Sequence, residues 1–224
     1  WLVENSEPDG AWKKGAYVSG FVPSYNTRVV WAMLFANQYL KKDLVREQAA
    51  LAFDFYSKKI QLNGAVKDWS FAPGKPAFTH TIAYTLRGFL ECEELLGINN
   101  SSLLTNSMEV LAQMWKENKR FAGSYDKNWK GDDSFICVTG NAQISILFSR
   151  LFQITKEEKW QLLAKEILTE IVAYQRKSVF ENLNGAIPGS VPFWGEYMRF
   201  KYPNWAAKFF LDACRFVFNE KRVF

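Results

Sequence analysis

Apolar residues recur along this chain in two alternating styles, and the alternation predicts its elements. One style is apolar almost all the way round, as in Val29-Val30-Trp31-Ala32-Met33-Leu34-Phe35-Ala36. The other is amphipathic, with Val45, Ala49, Ala52, Phe53, Tyr56 and Ile60 separated by Arg46, Glu47, Asp54 and Lys58. A helix that is apolar on every side must be buried on every side, whereas a helix with one polar face lies at the surface. The pair returns at Ile82 to Leu96 with Leu104 to Trp115, and again at Val138 to Phe152 with Trp160 to Tyr174. A last buried-type helix is predicted from Trp205 to Phe218. Strands are not expected, because runs of alternating polarity bounded by two-residue turns are missing.

Glycine turns punctuate this pattern. They are Asp9-Gly10-Ala11-Trp12, Asn63-Gly64-Ala65-Val66, Ala122-Gly123-Ser124-Tyr125 and Asn184-Gly185-Ala186-Ile187, with glycines 54, 59 and 62 residues apart. Each leads through a polar and aromatic loop into the next inner-type helix, so the chain reads as repeats near 9–60, 63–117, 122–176 and 184–219. A hairpin cannot bury its apolar helix alone and needs neighbours, so near-constant repetition predicts an all-α ring of hairpins, an α/α toroid. The expectation is therefore a single toroid domain over 1–224, or the C-terminal part of one with its N-terminal hairpins absent; Trp1-Leu2-Val3-Glu4-Asn5 reads as the end of a helix.

Composition narrows the classes. The 224 residues are 48% hydrophobic and 23% charged, which excludes a disordered chain. The net charge of +5 is carried by scattered Lys and Arg, so nucleic acid is not an expected partner. The longest uncharged stretch, Ser134 to Ser149, is too short to cross a bilayer. Three cysteines without paired spacing point to a reducing, cytoplasmic setting. Phosphate-cradling glycine loops, serine nucleophile elbows and calcium loops are missing from the sequence, and no cofactor is implied. Oligomeric state is not legible.

The glycine-aromatic turn followed by Tyr25-Asn26-Thr27-Arg28-Val29-Val30-Trp31-Ala32 resembles the repeat of the terpenoid-cyclase and protein-prenyltransferase superfamily of α/α toroids. His80-Thr81-Ile82-Ala83-Tyr84, Cys137-Val138-Thr139-Gly140-Asn141-Ala142-Gln143 and Tyr202-Pro203-Asn204-Trp205-Ala206-Ala207-Lys208-Phe209 resemble more particularly a bacterial branch of it associated with polysaccharide or glycoconjugate genes. The resemblance covers nearly the whole chain and implies the toroid fold. Class II cyclases carry an Asp-x-Asp-Asp acid motif. Gly131-Asp132-Asp133-Ser134 lacks its first acid, which argues against cyclase chemistry.

The loops after the glycines lead into inner-helix N-termini and should gather at one end of a ring, where helix dipoles turn their positive ends inward. Those loops and first turns carry Trp12, Tyr25, Arg28, Trp69, Trp129, Asn141, Gln143, Trp194, Tyr197, Asn204 and Lys208 as candidate substrate-binding residues. Aromatic rings stack on sugar faces, and carboxylates beside them hydrogen-bond hydroxyls or move protons. Trp12 and Trp69 have packing between hairpins as their alternative role, and Asp132 and Asp133 have helix capping. His80 is the single histidine and the first proton-transfer candidate, with Tyr84 one helical turn later. Asp68, Asp126 and Glu196 supply carboxylates from different repeats for glycoside hydrolysis. A polysaccharide lyase would instead pair His80 or Tyr84 with Arg28, Asn141 or Gln143 opposite a uronate.

The resulting expectation is a carbohydrate-active protein of hydrolase or lyase type, with an oligosaccharide or glycoconjugate ligand. Two alternatives stand beside it. One is an isoprenoid enzyme using Arg28 and Lys208 as phosphate partners, and the other is a non-catalytic binding module. Neither His80 nor Cys137 sits in a ligand-spaced motif, so no metal is assigned.

Overall fold

In a computed structural model that describes residues 1–98 and 102–218, the predicted helices all form. They are α1 (Thr27–Leu40), α2 (Asp43–Ser57), α3 (Thr79–Leu96), α4 (Ser102–Asn118), α5 (Val138–Thr155), α6 (Glu158–Ala173) and α7 (Asn204–Phe218). The last position of the fourth repeat, residue 219, lies outside the described residues. Strands, which the sequence did not predict, are present but minimal. Among the described residues five two-residue pieces occur: β1 (Ala77–Phe78), β2 (Ser124–Tyr125), β3 (Gly131–Asp132), β4 (Ile136–Cys137) and β5 (Ser190–Val191). β2 pairs antiparallel with β3, and β4 with β5. These pairs pin the ends of long loops and are too short to show as alternation.

The chain divides into two compact units. The first comprises Trp1–Ala77, Tyr84–Leu111 and Asp126–Trp129; the second comprises Phe78–Ala83, Ala112–Tyr125 and Lys130–Phe224. No helix among the described residues is long and apolar enough to cross a membrane.

In the first unit the repeated turn is built twice with the same bonds. Asp9 Oδ1 accepts from the Ala11 amide at 3.1 Å, and Asn63 Oδ1 from the Ala65 amide at 3.0 Å. The glycine amides donate to Glu7 and Gln61 carbonyls, both at 2.9 Å. Each glycine then abuts the outer helix of its own repeat, Gly10 on Ala52 of α2 and Gly64 on Ser107 of α4, whose hydroxyl donates to the Gly64 carbonyl at 2.6 Å. The other two turns depart from this scheme. At Gly123 it is the Phe135 ring that fills the space a side chain would take, and Gly185 has only the Gln175 side chain nearby.

In the second unit α5 is buried from Val138 through Leu151, packed by α6 and α7. It is the all-round buried helix that its sequence predicts. α1 is not. Ala32, Ala36, Tyr39 and Leu40 are exposed, because α2 and the Thr85–Gly88 stretch of α3 cover only part of its circumference.

Candidate functional site

The second unit brings three inner-helix N-termini together around His80. His80 is the second residue of α3, and Gly140 in the first turn of α5 lies so close that a Cβ there would be 2.6 Å from the His80 backbone nitrogen. Gln143, one turn further along α5, places its Nε2 2.5 Å from His80 Nδ1, and the same nitrogen reaches the Thr139 carbonyl at 3.5 Å. With the Gln143 amide as donor to Nδ1, the ring carries its proton on Nε2. The half-buried imidazole is flanked by Tyr197 at 5.4 Å and by Phe209 of α7 at 6.3 Å between ring centroids. Tyr197 is buried against Phe135 and Cys137 and accepts from Trp205 Nε1 at 3.1 Å. Burial raises its phenol above the ordinary range, with Cys137 adding to the effect, so it stays a neutral hydroxyl.

Other predicted residues of this unit fall into two groups. Trp194 is 63% exposed, and Glu196 and Asn204 also face solvent. Asn141 is fully buried, donating to Glu170 Oε2 at 3.1 Å, and Glu170 also accepts from Tyr174 at 2.6 Å. Asn141 therefore ties α5 to α6. Lys208 is exposed and bonded to Asp212 at 2.5 Å. Asp132 caps the Ser134 amide at 3.0 Å in a local turn, not a helix start.

In the first unit Arg28 is clasped between two rings, its guanidinium carbon 4.3 Å from the Trp31 centroid and 4.4 Å from that of Tyr84. Cation–π contact with the two rings restrains the guanidinium. Tyr25 stands edge-on to the exposed Phe71 at 5.8 Å and lines a groove of about 310 Å³ with Trp1, Trp12, Tyr17 and Val29. Trp12 stacks on Tyr56 at 6.5 Å and donates to the Leu2 carbonyl at 2.9 Å. With Trp12 only 5% exposed and Trp69 4%, both are buried in the manner of the packing role that was the alternative for them. Trp69 meets Trp129 at 5.1 Å, and Trp129 donates to the Asn63 carbonyl at 2.9 Å. That contact brings the Asp68 and Asp126 loops together. Asp68 pairs with Lys59 at 3.0 Å, and Asp126 Oδ1 closes a turn on the Asn128 amide at 2.8 Å.

The sequence reading passed over Trp31, Phe209 and Trp205 as site residues. Their signal was periodic: each lies within two turns of the start of an inner helix, on the same helix as a predicted residue. It also passed over the acids on α3, a helix read as buried.

All three cysteines are free thiols. Burial pushes Cys137 up to about 12 although backbone N–H groups of Gly140 and His80 point at its sulfur, and Cys92 is raised further by burial and the neighbouring Glu91 and Glu93. In the native protein at pH 8, Ellman's reagent should therefore titrate only the half-buried Cys214, with all three reacting in guanidinium. Rapid modification of two or more native thiols would contradict this packing. Among the described residues, no three His, Cys, Asp or Glu side chains gather as a metal site.

No protein-family model matches the sequence, and no curated protein aligns with it. Solved structures do match. A cellobiose 2-epimerase from Spirochaeta thermophila superposes with TM-score 0.67 at 14% identity, covering 86% of this chain and 51% of its own. An unsaturated glucuronyl hydrolase specific for heparin gives TM-score 0.71 at 15% identity, covering 96% and 65%. A UGL variant solved with dGlcA-Glc-Rha-Glc gives 0.72 at 13% identity, covering 97% and 66%. The chain thus spans about half to two thirds of these proteins. The likeness establishes the fold, an all-α α/α toroid of helical hairpins.

Proposed function

We propose that this protein acts on an oligosaccharide or glycoconjugate, with His80 as the group that moves a proton. The observation that carries the reading is the His80 arrangement. Gln143 holds the ring at Nδ1, aromatic rings flank the imidazole, and an imidazole so oriented at a cluster of inner-helix N-termini is suited to act as acid or base. Support comes also from the fold neighbours, a cellobiose 2-epimerase and an unsaturated glucuronyl hydrolase. Proton transfer at a sugar carbon suits a lyase or an epimerase. The sequence resemblance to prenyl-type toroids has weaker support, since Lys208 is held by Asp212 and Arg28 is clasped by two rings. Three free thiols favour a cytoplasmic placement.

A second reading, glycoside hydrolysis by paired carboxylates, is favoured by the Trp69–Trp129 contact that joins the Asp68 and Asp126 loops. The two readings separate in one experiment. The full chain is screened by thermal shift against neutral and acidic oligosaccharides, isoprenyl diphosphates and zinc, since a ligand of the folded state raises the melting temperature. The saccharide that stabilises the protein is then incubated with it in D2O. Deuterium at a sugar carbon that is lost in His80→Ala supports proton transfer by His80. Cleavage that leaves a carbon–carbon double bond in the new sugar end and is lost in His80→Ala supports the same role by elimination, whereas cleavage to saturated ends without carbon-bound deuterium, lost in Asp126→Asn, supports hydrolysis. Stabilisation by a prenyl diphosphate alone overturns both.

A further inference from the structure

Within the first unit, α2, the last turn of α3 and the start of α4 enclose a groove of about 530 Å³, within the size range of small-molecule pockets. Its walls are Ala50, Phe53, Leu96, Ile98 and Leu103. Glu93 lines it as well. This side chain is 5% exposed, and its Oε1 is buried without a hydrogen-bond partner among the described residues. A buried carboxylate oxygen left unbonded is costly, and it marks a position where a donor is wanted.

The charges around the groove specify the donor. Arg46 of α2 lines it, but its guanidinium is engaged by the Leu95 and Leu96 carbonyls at 3.3 and 3.2 Å, closing the end of α3. Asp54 of α2 is also at the groove and is paired with Lys58 at 2.6 Å. Glu91, one residue away from the Cys92 that precedes Glu93, is bonded by Arg87 at 2.5 Å. Leu103, the lining residue from α4, is not titratable. Glu93 itself sits in the last turn of α3, where the helix dipole disfavours an anion and welcomes a cation. Consistent with this setting, burial pushes its carboxyl up to about 7.

We propose that this groove binds a primary organic ammonium on a short apolar chain, its N–H groups on Glu93 Oε1 and its hydrocarbon against Phe53, Leu96 and Leu103. An ammonium supplies the donor that the oxygen lacks and the positive charge that the helix end favours. The apolar walls take up the chain. The proposal is independent of the sugar reading, since none of these residues belongs to it.

The test is a calorimetric titration of the full chain with n-hexylammonium at pH 8 and pH 5.5, with n-hexanol as the uncharged control. Saturable binding is expected at pH 8, weakened at least tenfold at pH 5.5, where Glu93 is protonated, and at least tenfold tighter than hexanol. Glu93→Gln keeps the shape and removes the ionisable group, so it should fold and lose at least tenfold in affinity. Leu103→Trp fills the groove without touching the carboxyl and should also lose binding. Undetectable binding at pH 8, equal binding of hexanol, or an unchanged affinity in Glu93→Gln would overturn the proposal. Should either variant fail to fold, the pH dependence of the unaltered protein decides.

The same carboxyl gives a sign for stability. Its folded pKa lies above the unfolded value, so its contribution is fully present below about pH 4 and is lost as pH rises through about 7. Glu93→Gln should therefore melt increasingly above the unaltered protein across that interval, and a constant difference would contradict the burial.

Discussion

Gly64→Ala is expected to lower stability by about 3–5 kcal/mol, the range reached when a substitution forces a backbone clash. Two costs combine there. The residue has φ of +80°, which L side chains rarely adopt, and an added Cβ would lie 2.6 Å from the Ser107 nitrogen and 2.8 Å from the Asn106 carbonyl carbon. Both contacts are backbone of α4, so relief requires the helix to move away from the turn it packs on. Gly10→Ala should behave alike, since its Cβ would be 2.5 Å from the Ala52 nitrogen at φ of +91°. Gly185→Ala is the control. Its φ is +83°, but the nearest atom to a Cβ is the flexible Gln175 Nε2 at 3.4 Å, and about 1 kcal/mol is expected. Urea melts of the three variants check this. Equal losses at positions 64 and 185 would mean that the turn conformation, and not the helix approach, sets the cost.

His80→Ala should reduce turnover of the saccharide substrate by about 10²–10⁴-fold, the usual worth of a positioned acid or base. The fall should be in kcat more than in KM, because a small ring removed from the site leaves most ligand contacts in place. The fold should survive, since the imidazole is half-exposed and Tyr197, its ring neighbour, is packed independently against Phe135 and Cys137. Gln143→Leu tests positioning. The amide donates to Nδ1 and so favours the neutral ring with its proton on Nε2. Removing it should move the acid limb of the pH–rate profile upward, with a smaller loss of kcat than His80→Ala produces. A purely structural role for Gln143 would lower stability and leave the profile in place.

What could be read from the sequence, and what could not, follows from the range of the forces involved. Helix positions were legible because burial is written into each segment's own periodicity: the segments predicted from Val138 and Trp160 form α5 and α6 to within a few residues. The turn at Asn63-Gly64-Ala65 was legible for the same reason, since its side-chain cap and glycine conformation are local. The identical-looking Asn184-Gly185-Ala186 was misleading, because a Cβ at Gly185 would meet only the Gln175 side chain and no helix backbone within 4 Å. Aromatic loop residues were the hardest to sort. Trp12 and Trp194 look alike in sequence, yet one is stacked on Tyr56 and the other stands 63% exposed, a difference decided by neighbours more than forty residues or a different loop away. His80 was selected as the single histidine at a helix start, and the Gln143 bond that gives it a defined tautomer spans 63 residues. Glu93 went unnoticed although a run of acids, Glu91, Glu93 and Glu94, on a helix read as buried is itself a conflict of levels.

Because His80 is the only histidine, its imidazole can be watched without mutation or assignment. A long-range 1H–15N spectrum of the full chain, recorded during titration with the oligosaccharide panel, therefore tests the proposed site most directly. One ring in the Nε2–H tautomer is expected, with signals that move saturably with at least one saccharide and stay still with an isoprenyl diphosphate. An imidazole in the other tautomer, or one that no saccharide perturbs while the protein binds sugar, would contradict the proposed site.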